Sequence, residues 1–159
     1  MPYIIDSHED LSWNIINLGR DYSKSAHDIR ESEKSTPIPG FNGNTLLGWP
    51  QYQEGKVAVV FGTLFCEPKR RDRGTYPIKS YETAAQAHAC YRENLDAYHR
   101  LTDEHPEKFR LIKFKTELMS HIQDWESHLE HPHDPAPPIG IVVLMEGAEG
   151  IQEPAEVES

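Results

Sequence analysis

The amino-acid sequence predicts an α/β fold built on a parallel β-sheet, and three observations lead to that prediction. Three apolar segments are continuous rather than alternating, which is typical of strands buried on both faces of a parallel sheet. Two segments between the second and the third repeat apolar residues every three or four positions, as amphipathic helices do. Side chains of metal-binding types follow the first and third apolar segments. The order strand, loop, strand, helix, helix, strand favours right-handed crossovers between parallel strands.

The three predicted strands are rich in β-branched and aromatic residues, which suit a buried sheet. They cover Tyr3 to Ile5, the segment KVAVVFGTLF at 56–65, and the segment IGIVVLM at 139–145. Residues 20–50 contain a stretch rich in Pro, Gly and Asn and are predicted to be irregular, apart from one short helix in TLLGWPQYQEG that Pro50 interrupts. An irregular segment of that length in a compact domain usually covers a functional site.

Two helices are predicted between the second and third strands. The first lies in TAAQAHACYRENLDAYHRL, and the second lies in TELMSHIQDWESHLEH and ends before HPHDPAPP. His88 stands in the apolar row of the first helix, and we predict that it packs there and binds no metal. The apolar rows are Ala84, Ala87, His88, Tyr91, Leu95 and Tyr98 in the first helix, and Leu118, Ile122, Trp125 and Leu129 in the second.

Length and composition narrow the class of function. The 159 residues are enough for one domain with a real core. A formal net charge of -10 argues against binding nucleic acid or an anionic membrane through a basic surface. The two cysteines are far apart and predict reduced thiols. Because the chain shows neither a secretory signal nor an apolar run that could span a bilayer, we expect a cytoplasmic protein.

Candidate metal ligands stand at the ends of the first and third strands. If the first strand continues, His8 and Asp10 point to the same side because alternate residues share a face, and Asp6 lies beside them. Glu146 directly follows the third strand, and parallel strands end at one edge of their sheet. An imidazole nitrogen beside carboxylate oxygens suits zinc or a similar divalent cation. A structural interpretation is also open, with Asp6 or Asp10 as a helix N-cap and Glu146 as a solvated turn residue.

Four segments of the chain resemble the membrane (renal-type) dipeptidases of peptidase family M19. IIDSHEDLSWN resembles the opening of that family, where an Asp-x-His-x-Asp motif closes the first barrel strand. GIVVLMEGAEGI is similar to the family segment whose Glu-Gly pair supplies a carboxylate that bridges two metal ions. LLGWPQYQEGKVAVVFGTLF and AYHRLTDEHPEKFRLIK resemble the intervening helix, second strand, and following helix and turn. The resemblance therefore extends in order over nearly the whole chain.

This resemblance implies a TIM-type (β/α)8 barrel, of which residues 1–159 would be the N-terminal part of a single dipeptidase domain. A complete barrel takes about 250 residues, so we expect the chain to be truncated. The resemblance implies a zinc-dependent dipeptidase with two zinc ions, in which His8 and Asp10 bind one ion and Glu146 bridges both. Two further histidine ligands and a proton-handling aspartate lie on later strands of the family, so no catalytic acid or base is assigned. The implied partner is a small-molecule dipeptide, and a homodimer is left open.

Glu9 and four histidines are not assigned as metal ligands. Glu9 stands where many family members have asparagine, and we expect it to matter little because its side chain points away from the metals. Four histidines precede the third strand, and we expect them at the solvated surface rather than in the site. They are His121, His128, His131 and His133.

Two other interpretations of function stay open. Another metal-dependent amidohydrolase could use the same barrel, although those families usually open with His-x-His, whereas position 10 is Asp. The chain could instead be a non-catalytic fragment, because part of a barrel leaves an open sheet edge and uncovered apolar faces. For the dipeptidase interpretation, we expect the isolated chain to bind divalent metal weakly and to hydrolyse no dipeptide, since three ligands are too few for two ions.

Overall fold

Parallel strands form the centre of the computed structural model, which describes residues 2–72, 74–132 and 136–158. In chain order the strands are β1 (Ile4–Glu9), β2 (Val57–Leu64), β3 (Glu67–Pro68), β4 (Ser80–Tyr81), β5 (Phe109–Ile112) and β6 (Ile139–Met145). The main sheet has the order β1-β2-β6-β5, and each neighbouring pair is parallel. The strands β3 and β4 form a separate two-stranded parallel sheet.

The helices surround this sheet and are mostly short. They are α1 (Leu11–Leu18), α2 (Ala26–Glu33), α3 (Ile38–Asn42), α4 (Trp49–Glu54), α5 (Ala84–Glu104) and α6 (Lys115–Glu130). Short 3-10 turns occur at Lys69–Arg71 and Pro154–Glu158. Among the described residues, no helix has the length and apolar character needed to cross a bilayer.

The predicted parallel α/β fold is confirmed for this part of the chain. The three strands expected from the apolar segments are β1, β2 and β6, and they are adjacent in the sheet. Gly62 of β2 lies beside Glu9 of β1, and Leu64 lies beside Met145 of β6. All three strands therefore end at the same edge of the sheet, which is the arrangement that the candidate site requires.

The first strand differs from its prediction in burial and length. Ile4 and Ile5 are 49% and 50% exposed, so the prediction of a strand buried on both faces is wrong. The reason is that β1 lies at the edge of the sheet, where one of its two neighbours is missing from the described residues. β1 also continues to Glu9, with a register irregularity between Asp6 and Glu9.

The strand β5 is not predicted from the sequence. Its four residues, FRLI, follow a long amphipathic helix, and only Phe109 and Ile112 are buried. Four residues are too few to show the two-residue alternation of a strand, so the segment cannot be told apart from the amphipathic pattern that precedes it. β5 pairs with the outer side of β6, so the sheet does not follow the order of the strands along the chain.

The segment 20–50 is more regular than predicted. The helix α2 forms at 26–33, where its start is capped by the Ser25 hydroxyl, which accepts a hydrogen bond of 3.0 Å from the Asp28 N–H. The predicted short helix in TLLGWPQYQEG is confirmed as α4. Pro50 lies in the first turn of α4 and does not interrupt it, because a first-turn residue needs no N–H for an intrahelical bond.

The helix α5 packs closely on β2 and closes the core. A Cβ atom at Gly62 would lie 2.7 Å from Cζ of Tyr98, so only glycine allows this approach of helix and strand. Tyr98 is fully buried, and its hydroxyl donates a 3.0 Å hydrogen bond to the Thr63 carbonyl. Other large, fully buried side chains of the core come from several elements, namely Leu11, Tyr52, Val59, Phe109, Trp125, Ile139 and Ile141.

His121 is buried, which corrects the expectation of a surface histidine. It is 0% exposed on α6, and its Nε2 lies 2.8 Å from the carbonyl oxygen of Ala58. Its Nδ1 is buried and has no hydrogen-bond partner among the described residues. Burial therefore lowers the pKa of His121, because the protonated ring would be a poorly solvated charge.

This burial predicts a pH-dependent contribution of His121 to stability. The folded-state pKa lies below the unfolded value of about 6.5, so the unfolded chain binds a proton that the folded chain does not. The contribution of His121 to the free energy of unfolding is therefore fully present above pH 6.5 and is lost as the pH falls below that value. We expect the urea-unfolding free energy of His121→Gln to fall less steeply on acidification than that of the wild type. The variant of an exposed histidine, His27→Gln, should keep the wild-type slope, and equal slopes for all three proteins would contradict the prediction.

Candidate metal centre

The backbone at the sheet edge positions Glu146 directly after β6. The Glu146 N–H donates a 3.1 Å hydrogen bond to the Leu64 carbonyl at the end of β2. The Tyr91 hydroxyl of α5 donates a 2.6 Å hydrogen bond to the Glu146 carbonyl. Both backbone groups of Glu146 are thus fixed, while its side chain remains half exposed.

The end of β1 positions His8 and Asp10. The Asp6 carboxylate accepts a 3.1 Å hydrogen bond from the His8 N–H. Asp10 occupies the N-cap position of α1, but its side chain makes no capping hydrogen bond. The N-cap interpretation therefore accounts for the position of Asp10 and not for its carboxylate, which faces the imidazole of His8 instead.

The structure brings the three candidate ligands together. His8 Nε2 lies 3.6 Å from Asp10 Oδ1 and 3.6 Å from Glu146 Oε2. One donor atom from each residue lies within 4.8 Å of the others. The prediction that these side chains converge at one edge of the sheet is therefore confirmed.

The donor set and its spacing fit a divalent cation. Ligand atoms about 2.1 Å from a tetrahedral zinc ion lie about 3.4 Å apart, which is close to the two 3.6 Å separations from His8 Nε2. One imidazole nitrogen and two carboxylate oxygens are donors that zinc accepts. The side chains are 48%, 47% and 48% exposed for His8, Asp10 and Glu146, so an ion could reach them from solvent. Their role as metal ligands stays a prediction.

Glu9 is a buried carboxyl group whose side chain points away from the candidate ligands, as expected. Its side chain points into the core, away from the exposed ligands, and accepts a hydrogen bond from the hydroxyl of the fully buried Tyr52. Burial raises the pKa of Glu9 to about 7, the Tyr52 hydrogen bond lowers it, and the nearby Asp6 and Asp10 carboxylates raise it further. Glu9 therefore fixes the end of β1 to the hydrophobic core through its contact with Tyr52.

A buried polar network supports the start of α1. The Ser12 hydroxyl lies 2.8 Å from the Thr63 carbonyl and 2.6 Å from Asn94 Oδ1. The Thr63 hydroxyl donates a 2.9 Å hydrogen bond to the Glu9 carbonyl. These contacts fix the backbone on either side of Asp10. The sequence analysis missed them because they join residues that are 51 to 82 positions apart.

Other candidate histidines of the described residues contact groups outside this set of three ligands. His88 is half buried, and its Nδ1 lies 2.8 Å from the Gly150 carbonyl, which agrees with the predicted packing role. His128 is half buried beside Trp125, and His131 is exposed. His133 lies outside the described residues.

Comparison with known proteins supports the fold. No family model matches the sequence, and no curated protein matches it. Among solved structures, dipeptidase AC, a metallopeptidase of family M19, is similar with a TM-score of 0.57, 16% identity and 94% coverage of this chain. A Rhodobacter sphaeroides metallopeptidase, solved with a phosphinate mimic of the dipeptide L-Ala-D-Ala, gives a TM-score of 0.59, 15% identity and 94% coverage.

The extent of this likeness determines what it shows. The chain spans 36% and 39% of the length of those two structures. At 15% and 16% identity, the likeness shows a shared fold. The similarity of fold therefore supports the resemblance to family M19 that was seen in the four sequence segments.

Proposed function

We propose that this chain is the N-terminal portion of a (β/α)8 barrel and contributes to the binuclear zinc site of a dipeptidase. The observation that carries the proposal is the convergence of His8, Asp10 and Glu146 at the carboxyl edge of a parallel sheet. That edge is where enzymes of such barrels place their active sites. The fold shared with an M19 dipeptidase and with a Rhodobacter sphaeroides metallopeptidase supports the same assignment.

In this proposal the three residues have distinct roles. His8 and Asp10 would hold one zinc ion, and Glu146 would bridge it to a second. Zinc at such a site polarises a carbonyl group and lowers the pKa of water, which is the chemistry that peptide hydrolysis needs. The described residues contribute three donors to this group, so further ligands and the group that handles the proton would come from other parts of the complete barrel.

The contribution of the chain itself is to hold its donors in place. Two backbone hydrogen bonds to Glu146 and the Asp6 contact to the His8 N–H restrict both strand ends before any ion binds. The Glu9 side chain, bound by Tyr52, anchors the backbone between the ligands His8 and Asp10. Ligands that are positioned in advance lose less conformational entropy when they bind a metal.

The proposed substrate class is a dipeptide. The similar Rhodobacter sphaeroides protein was solved with a phosphinate mimic of L-Ala-D-Ala, and that compound is a suitable probe for this chain. A different metal-dependent amidohydrolase would share the fold but would not need to bind a dipeptide mimic.

The test combines binding of the mimic with an assay of hydrolysis. We expect the purified chain to bind the phosphinate mimic of L-Ala-D-Ala more tightly with zinc than without it, and to hydrolyse L-Ala-D-Ala no faster than buffer. Isothermal titration with and without zinc measures the first expectation, and amino-acid release measures the second. An affinity for the mimic that zinc leaves unchanged, or no binding at millimolar mimic, would contradict the dipeptidase assignment. Hydrolysis that disappears in Glu146→Gln would show that this chain alone is catalytic and would refute its role as a portion of the enzyme.

A further inference from the structure

A small cavity adjoins the candidate metal centre on the side of Glu146. It has a volume of about 190 Å³, and Glu146 forms part of its wall. Arg70 and Arg71, in the 3-10 turn after β3, line the same cavity, as does Tyr81 of β4. A ligand in this cavity would therefore lie beside Glu146, a residue of the candidate metal centre, and beside Arg70 and Arg71.

The two arginines are available for a ligand. Neither Arg70 nor Arg71 forms an ion pair within the described ranges, and both side chains are exposed. Two neighbouring lysines of the described residues are already engaged, because Lys69 lies 2.9 Å from Asp72 and Lys79 pairs with Glu93. Arginine presents a planar set of N–H donors that matches a carboxylate in a bidentate arrangement.

The charges around the cavity restrict where an anion can bind. Arg70, Arg71, Tyr81 and Glu149 all line the cavity. Burial and the Glu149 carboxylate raise the pKa of Tyr81, while the positive charges of Arg70 and Arg71 lower it. Glu149 Oε2 lies 3.5 Å from the Tyr91 hydroxyl. An anion would be repelled by the two glutamates and attracted to the arginines, in a protein whose net charge is -10.

We propose that Arg70 and Arg71 form a carboxylate-binding subsite that orients an anionic group of the substrate beside the metal centre. The identification of that group as part of a dipeptide rests on the proposed function. A dipeptide offers such a carboxylate from two sources, its C-terminus or an acidic side chain. Holding that group at Arg70 and Arg71 would place the rest of a short substrate against Glu146, since the cavity is too small to separate them widely.

The test measures binding in the absence of metal, so that zinc cannot supply the carboxylate contact. Heteronuclear NMR titration of the chain in chelator compares L-Ala-L-Glu, L-Ala-L-Gln and the C-terminal amide of L-Ala-L-Gln. We expect the C-terminal amide of L-Ala-L-Gln to bind most weakly, because it has no carboxylate. The double variant Arg70→Gln/Arg71→Gln should weaken the binding of L-Ala-L-Glu at least about fivefold. Lysine at both positions should retain part of the affinity, because charge is kept while the bidentate geometry is lost.

The controls separate this inference from the proposed function. Arg100→Gln, an exposed arginine of α5 that lines a different groove, should leave all affinities unchanged. Tighter binding of L-Ala-L-Glu than of L-Ala-L-Gln assigns the acidic side chain, and equal binding with a weaker amide assigns the C-terminus. An unchanged affinity in the double variant, equal affinities for all three probes, or no binding at all would overturn the subsite. If zinc binding through Glu146 persisted in that case, the proposed function would stand without it.

Discussion

Removing any one of the three candidate ligands should lower the zinc affinity of the chain about 100-fold or more. The changes are His8→Ala, Asp10→Asn and Glu146→Gln, and each removes one donor from a group whose atoms lie within 4.8 Å. Loss of a supporting group that only orients a ligand already costs about 10- to 100-fold, so loss of a ligand itself should cost at least as much. Competition with a chromophoric zinc chelator measures the affinity.

Stability distinguishes a lost ligand from a damaged fold. The three side chains are about half exposed and do not belong to the core, so each substitution should change the unfolding free energy by only about 0.5 kcal/mol. Two exposed residues, His27 and Glu153, serve as controls, and His27→Gln and Glu153→Gln should keep the wild-type affinity. A residue whose substitution leaves zinc binding unchanged would be excluded from the metal centre.

Breaking the buried ion pair between Arg20 and Glu33 should be among the most destabilising changes. Arg20 Nε lies 2.7 Å from Glu33 Oε1, its Nη2 lies 3.2 Å from Oε2, and the side chains are 4% and 5% exposed. Nη2 also donates a 2.8 Å hydrogen bond to the Gly43 carbonyl. Glu33→Ala leaves the guanidinium buried without its carboxylate, and we expect a loss of about 3–5 kcal/mol in urea unfolding.

Two comparisons test the physical reason for that loss. The double change Arg20→Met/Glu33→Leu removes both charges and should be less destabilising than Glu33→Ala, because no unpaired charge stays buried. Glu31→Ala breaks the exposed pair with Lys34, whose side chains are 56% and 74% exposed, and should cost less than about 1 kcal/mol. A similar loss for Glu31→Ala and Glu33→Ala would show that burial does not decide the cost.

The sequence by itself was sufficient for the parallel α/β core and for the convergence of the three candidate ligands. Both depend on general regularities of β-structure, namely the two-residue period of a strand and the common edge at which parallel strands end. His8 and Asp10 belong to one such strand end, and Glu146 follows another. Continuous apolar segments identified these strands without knowledge of what packs on them.

The tertiary structure alone decided which side chains are buried and what they contact. Ile4 and Ile5 are exposed because β1 lies at the sheet edge, whereas His121 is buried because α6 packs against β2. Glu9 meets Tyr52 across 43 residues of sequence, and β5 forms only because β6 offers it a free side. Burial and long-range contacts are properties of packed surfaces, and no local pattern of residue types contains them.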